Sequence, residues 1–185
     1  MKKGVIIVIA VLVLLVIWGF SGYNGLVILN ENADAQWAKV ETQYQRRFDL
    51  IPNLVNATKA VLTQEQTVFG DIAEARSHYA NASNPDDKAA AASEVESTLA
   101  RLLVIVENYP QLQSASTVRD LMTQLEGTEN RVSVERTRFN DTIRDYNTTI
   151  KRFPRNILAA LTGFGERNYF EAASGSENAP GVNFE

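Results

Sequence analysis

The chain opens on an apolar run with no period. "VIIVIAVLVLLVIWGF" (5–20) presents apolar side chains on every side of a helix, a pattern suited to lipid or to a fully enclosed position. At 1.5 Å per residue the run covers about 24 Å, a little short of the roughly 20 residues that a bilayer core takes. Apolar character resumes in "YNGLVIL" (23–29), and Trp18 and Tyr23 flank the join, where amphipathic rings suit the lipid–water boundary. The run therefore predicts a retained transmembrane helix. Its rival is a cleaved signal peptide, but "WGFSGYN" offers no A-x-A-like cleavage site and the run is long for a signal. No cysteine follows, so a lipoprotein is excluded.

From residue 33 the pattern changes to a 3–4 spacing, the mark of an amphipathic helix. Trp37, Val40, Tyr44, Phe48, Ile51, Val55, Thr58, Leu62, Glu65, Phe69, Ile72, Arg76 and Tyr79 keep step straight through Pro52. Two helices separated by a turn have no reason to stay in phase, so the stripe predicts one helix over 33–79, kinked at Pro52. "NASNPDDK" (81–88) reads as a turn, and Pro85 with Asp86 and Asp87 opens a second helix. Its stripe is Ala92, Val95, Leu99, Leu102, Val106 and Tyr109, and Pro110 stops it.

"PQLQSAS" reads as a link to a third helix, N-capped by Ser114 or Ser116. Val118, Leu121, Leu125, Thr128, Val132, Phe139, Ile143, Tyr146 and Ile150 mark that helix's buried side. Pro154 suits the first position of a short fourth helix, which Gly163 ends. Ile157, Leu158 and Leu161 give it one apolar face. That helix either caps the bundle or lies on the membrane; capping is the default, because Arg155 is the only basic residue before Gly163. The polar, Gly- and Pro-bearing tail reads as irregular, with Val182 and Phe184 available to tie its end down in extended form.

Helices that each carry one apolar stripe and are joined by short loops bury those stripes on one another. The predicted class is all-α: an N-terminal transmembrane helix, then an elongated antiparallel up-and-down helical bundle with a long, proline-kinked first helix. Residues 1–23 form the anchor and juncture, 24–165 the bundle, and 166–185 the irregular tail.

Charge adds direction. Lys2 and Lys3 precede the apolar run, and the rest of the chain holds 16 basic against 22 acidic residues, a net of −6. An acidic body argues against nucleic acid as a partner. The two lysines place the N-terminus in the cytoplasm and the bundle outside, at a bacterial inner membrane crossed once. Gly19, Gly22 and Gly25 recur every third residue. They are either a flexible juncture, which Ser21 and Asn24 favour, or a small-residue face on which neighbouring anchors pack.

Composition removes most chemistry. There is no cysteine and one histidine, His78, which excludes disulfides and thiolate sites and removes most zinc sites and nearly all histidine acid–base schemes. His78 reads as an exposed helix-end charge. "ENRVSVERTRFNDTIRDYN" mixes attractive and repulsive spacings (Arg131–Glu135, Arg138–Asp141, Asp141–Asp145) and reads as a solvated face. No phosphate loop, Ser/His/Asp set or metal motif is present. The expectation is no enzyme, no catalytic residue, no cofactor and no metal.

One stretch stands out. In "QRRFDLIPNLV" (45–55), Arg46, Asp49, Asn53 and Asn56 fall on a line opposite the core stripe, while Leu50, Leu54 and Val61 widen the apolar arc. Arg46, Asp49, Leu50, Asn53 and Leu54 are the candidate interaction face. The plain alternative is a solvated surface, where a pair such as Arg46–Asp49 contributes about 0.3–0.5 kcal/mol.

The chain resembles the LemA family of bacterial proteins. The likeness rests on the N-terminal segment, Tyr23-Asn24, Leu26-Val27, Trp37, Arg46-Arg47 and "DLIPNLV" (49–55). It continues in "EAR" (74–76), Tyr146-Asn147, Phe153-Pro154, "YFEA" (169–172), Pro180, Val182 and Phe184. The resemblance implies a helical bundle behind a single membrane anchor, with no settled activity or cofactor. Some relatives are linked to organelle membrane formation in magnetic bacteria, others to the neighbourhood of membrane proteases, and members have been drawn in both membrane orientations. The expected function is a non-enzymatic, membrane-anchored scaffold that self-associates. The alternative is a monomeric adaptor that recruits another membrane protein, such as a protease or an envelope enzyme.

Overall fold

The computed structural model describes residues 2–62 and 65–170. It contains α1 (Lys2–Lys59), α2 (Gln66–Asn81), α3 (Pro85–Glu107), α4 (Pro110–Ser114), α5 (Ser116–Lys151) and α6 (Arg155–Thr162), with no strand among the described residues. The chain divides into two compact units, one of residues 1–39 with 135–169, the other of 40–134 with 170–185.

In the first unit, the side chains of residues 5–18 are all exposed, and this is the one helix among the described residues that is long and apolar enough to cross a membrane. The helix passes unbroken through Gly19, Gly22 and Gly25. Where water cannot serve the backbone, only intrahelical hydrogen bonds satisfy it, so glycine's low propensity does not break a helix there. Below the run α1 becomes one-sided: Leu26, Ala33, Gln36 and Trp37 are buried. Leu26 packs with Tyr146, Ile150 and Ala159, and Leu29, Leu158 and Phe164 close around them. Trp37 meets Phe139 edge-on with ring centres 5.4 Å apart.

Gly163, at φ 79°, ends α6 in the left-handed conformation that the sequence calls for. Residues 164–170 are neither helix nor strand but are held in place. The Tyr146 hydroxyl donates to the Gly165 carbonyl at 2.9 Å. The Asn147 amide both donates to the Arg167 carbonyl and accepts its N–H, at 2.8 and 3.0 Å. The start of the expected irregular tail is thus built into the fold, while residues 171–185, with Pro180, Val182 and Phe184, lie outside the described residues.

In the second unit Val40, Tyr44, Phe48, Ile51 and Thr58 of the α1 stripe are buried as read, but Leu54 is buried where Val55 was expected, Val55 being only half-buried, and the helix continues through Pro52. Tyr44, Phe48 and Tyr79 form an aromatic cluster, Phe48 and Tyr79 edge-on at 4.7 Å. Each such side chain contributes about 1.5–3 kcal/mol on burial.

The single helix expected over 33–79 is instead two. α1 ends at Lys59 and α2 starts at Gln66. The Leu62 N–H still reaches the Thr58 carbonyl at 2.9 Å, and Leu62 is buried. An unbroken helix would have placed Glu65 on the buried line between Leu62 and Phe69, and burying an unpaired carboxylate is costly. The break lets Glu65 stay half exposed, and buried positions resume at Ile72 and Tyr79 as read, with Ala75 buried where Arg76 was expected.

α2 and α3 form a hairpin. The Asn84 side chain accepts the Asp87 N–H at 2.8 Å, a side-chain cap beside Pro85 that confirms the predicted start. The expected link after Pro110 is a one-turn helix, α4, because Pro110 is preset for a first turn and Leu112 is buried. Neither Ser114 nor Ser116 caps α5. Ser114 donates to the Gln111 carbonyl, Ser116 is already helical, and the Ala115 carbonyl accepts the Arg119 N–H.

Candidate interaction face

α1 positions the stretch from Gln45 to Asn56. Tyr44, Phe48 and Ile51 fix its inner side, so the helical period turns Arg46, Asp49, Asn53 and Asn56 outward; all four are exposed. Asp49 accepts a hydrogen bond from Gln45 at 2.9 Å, in place of the expected pairing with Arg46. Leu50 is half-buried at the edge of this face.

Leu54 is a correction. It is 0% exposed and belongs to the core, not to the surface. It stands three residues after Ile51 and four before Thr58, both buried, so the period puts it inside. The face that remains is Arg46, Asp49, Leu50 and Asn53.

The more consequential arginine is Arg47. It is buried and its guanidinium donates to Glu129 of α5. Arg47 stands three residues after Tyr44 and four before Ile51, so it lies on the core stripe; that spacing was the signal in the sequence. Nearby polar groups act in the same way. The Tyr44 hydroxyl donates to Glu96 of α3 at 3.0 Å, and the Lys88 ammonium of α3 donates to Glu41 of α1. Burial, and then the charge of Glu41, push the Tyr79 phenol above its ordinary range, so it stays neutral. In the first unit the Gln36 amide donates to Glu135 at 2.7 Å, and Arg138 pairs with the same carboxylate at 2.6 Å.

The described residues of the second unit line hollows on its surface. One of about 720 Å³ is lined by Arg47, Leu103, Met122, Leu125 and Glu129 among others. One of about 420 Å³ is lined by Asp71, Glu74, Glu94 and Arg101 among others. His78 is exposed as expected; its Nδ1 meets Glu94 at 2.9 Å, and Glu74 stands 3.9 Å from its Nε2. The Glu94 hydrogen bond, then its charge, raise the imidazole above its ordinary range. Among the described residues no group of three His, Asp or Glu side chains is placed to hold a metal ion.

The glycine row is partly occupied from within. A Cβ on Gly22 would lie 2.5 Å from the Leu158 Cδ1, and one on Gly25 would lie 3.9 Å from the Arg155 guanidinium, whereas Gly19 faces open space. The close approach of α6 to α1 is therefore what Gly22 permits.

The model of the LemA family matches residues 36–184, from just before Trp37 through "RRFDLIPNLV" and on into the tail. The chain belongs to the LemA family. Its anchor and Tyr23, Asn24, Leu26 and Val27 precede the matched residues. Among curated proteins, this LemA-family chain is similar to Magnetosome protein MamQ of Magnetospirillum gryphiswaldense, 29% identical over 174 residues. It is also similar to Magnetosome protein MamQ 2 and MamQ 1 of Paramagnetospirillum magneticum, each 27% identical over 175 residues. Each comparison covers 80% of this chain and 64% of the relative, so the chain spans 64% of the length of these relatives.

Proposed function

We propose that this LemA-family protein is a non-enzymatic scaffold, held in a bacterial inner membrane by α1, that associates with copies of itself through the outer side of α1 around Arg46, Asp49, Leu50 and Asn53. The N-terminus lies in the cytoplasm and the helical body outside, following Lys2 and Lys3. The observation that carries the reading is the use made of interior polar groups. Arg47, Tyr44 and Gln36, three of the polar side chains that α1 turns inward, each bridge to another helix of their own unit, while Thr58 donates back to the Leu54 carbonyl of α1. Chemistry-bearing residues thus serve as struts, while a polar face with one half-buried leucine is turned outward. The relatives' name refers to a cellular structure and not to a reaction, which supports the same reading.

A second reading, an adaptor for another membrane protein, draws on the hollow of about 720 Å³ beside Arg47 and Met122, large enough for side chains of a partner. Absolute mass by light scattering of the full chain in detergent separates the two. The scaffold reading expects an oligomer that falls to a monomer, with helicity intact, in the Arg46→Glu, Leu50→Asp variant. A wild-type monomer at all concentrations contradicts it and favours the adaptor.

A further inference from the structure

α6 buries only part of its apolar surface. Ala159 and Leu158 face the Leu26–Tyr146 core, yet Leu161 is 78% exposed, Phe153, just before the helix, 81%, and Ile157 49%. Large apolar side chains that stand exposed together mark a surface made to be covered. Their position explains it. The Arg155 guanidinium reaches Gly25 and Leu158 sits on Gly22, so α6 descends along α1, one turn against one turn, toward the apolar run. Continued by one more turn along the same line, α6 carries Leu161 toward the level of Gly19 and Phe20, the end of that run. Gly163 then reverses the chain, and Phe164 meets Tyr23 with ring centres 5.9 Å apart.

A bilayer core of about 30 Å, entered at Val5, needs roughly 20 residues of helix and so ends near residue 24. Tyr23, partly exposed, stands at that boundary, with Trp18 about 9 Å further in. We propose that α6 is a second membrane contact, with Ile157 and Leu161 set into the acyl side of the boundary and Phe153 at the headgroups of the same bilayer that α1 crosses. The occupant of this apolar face is lipid, because the face is continuous with the lipid-facing side of the anchor. Arg152 and Arg155, both exposed, flank it and suit anionic headgroups. α6 would then fix how the helical body stands on the membrane, which a single anchor helix leaves free to rotate.

The inference rests on α1 being the anchor, and the test separates the two. The chain has no cysteine, so one Leu161→Cys substitution carries a nitroxide spin label at a single place. Leu12→Cys and Val104→Cys report the anchor and an exposed site of α3. The full chain is placed in vesicles of phosphatidylcholine with phosphatidylglycerol. Relaxation by oxygen, which enters lipid, is compared with relaxation by a water-soluble nickel chelate. The expected result is nickel accessibility at Leu161 at least about fivefold below that at Val104, with oxygen accessibility raised, as for a helix seated 5–10 Å into the boundary. A label at Leu161 as open to nickel as that at Val104, with Leu12 shielded, overturns the role of α6 and leaves the anchor standing. Both labels open to nickel overturns anchor and inference together. Shielding at Leu161 with spin–spin broadening that vanishes on dilution by unlabelled protein assigns the face to a second copy and overturns the lipid contact.

Discussion

Residues 5–20 and residues 40–58 are stretches of one helix, α1, with opposite surroundings. In the first, large apolar side chains such as Ile6 and Phe20 stand 65% and 68% exposed. In the second, Val40, Ile51 and Leu54 are wholly buried while Arg46, Asp49 and Asn53 face outward. Helix formation is common to both; what covers the side chains is not. A segment apolar on all sides is covered by solvent of another kind, and a segment with one stripe is covered by protein. The same substitution should therefore have different effects in the two places.

The largest contrast is Leu54→Ala against Leu14→Ala. The first deletes a fully buried side chain and should cost about 2–5 kcal/mol. The second removes no packing within the chain and should shift unfolding by less than about 0.5 kcal/mol. Urea unfolding in detergent, followed by circular dichroism, measures both. Equal shifts would break the comparison.

Pro52→Ala comes next. Pro52 has no N–H to offer the carbonyl four residues back, and proline is about 3 kcal/mol worse than alanine inside a helix. Part of that gain is lost to the greater freedom of the unfolded chain, about 0.4–1 kcal/mol. The variant should be more stable by about 2 kcal/mol. If it also loses self-association, the proline shapes the interface; a higher melting temperature with unchanged mass would leave Pro52 without a part in assembly.

Gly22→Leu is smaller. It collides with Leu158 and should cost about 1–3 kcal/mol, confined to the packing of α6, with Leu158→Ala restoring much of it. Gly19→Leu, facing open space, should do nothing to that packing. Exchange of the α6 amides, read by mass spectrometry, distinguishes the two.

The smallest effect is a titration. Glu94 holds the His78 imidazole above its ordinary 6.5, mainly by its hydrogen bond and then by its charge, with Glu74 adding less. A raised value in the folded state gives a contribution fully present below pH 6.5 that fades as pH rises through the folded value. Glu94→Gln should bring the imidazole resonance back toward 6.5 and flatten this part of the pH profile. An unmoved titration would remove Glu94 as the cause.

Much of this was legible before any coordinates. The aperiodic run, the 3–4 stripes, the start at Pro85 and the stop at Gly163 are local signals, set by propensity, sterics and period. The misses arose where local pattern met tertiary cover. The stripe keeps phase from Thr58 to Phe69 although α1 ends at Lys59 and α2 starts at Gln66, and Glu65 on that stripe is the warning. Leu50 and Leu54 look alike in composition, but Leu54 sits three residues after Ile51 and four before Thr58 and is carried inside, while Leu50 stays at the edge. Arg46 and Arg47 are neighbours in sequence, yet the period sends one outward and the other to Glu129. Gly22 gave no sign of its partner, since Leu158 lies 136 residues further along the chain.

That one helix serves as both membrane span and core element is tested most directly by hydrogen exchange of the full chain in anionic vesicles. Slow exchange should run without a gap from Val5 through the glycine row to Ala33, because residues 5–20 lie in lipid and Leu26 and Ala33 lie in the protein core. A fast-exchanging gap at Gly19 to Gly25 would contradict this, by making those glycines a flexible joint that separates the anchor from the bundle.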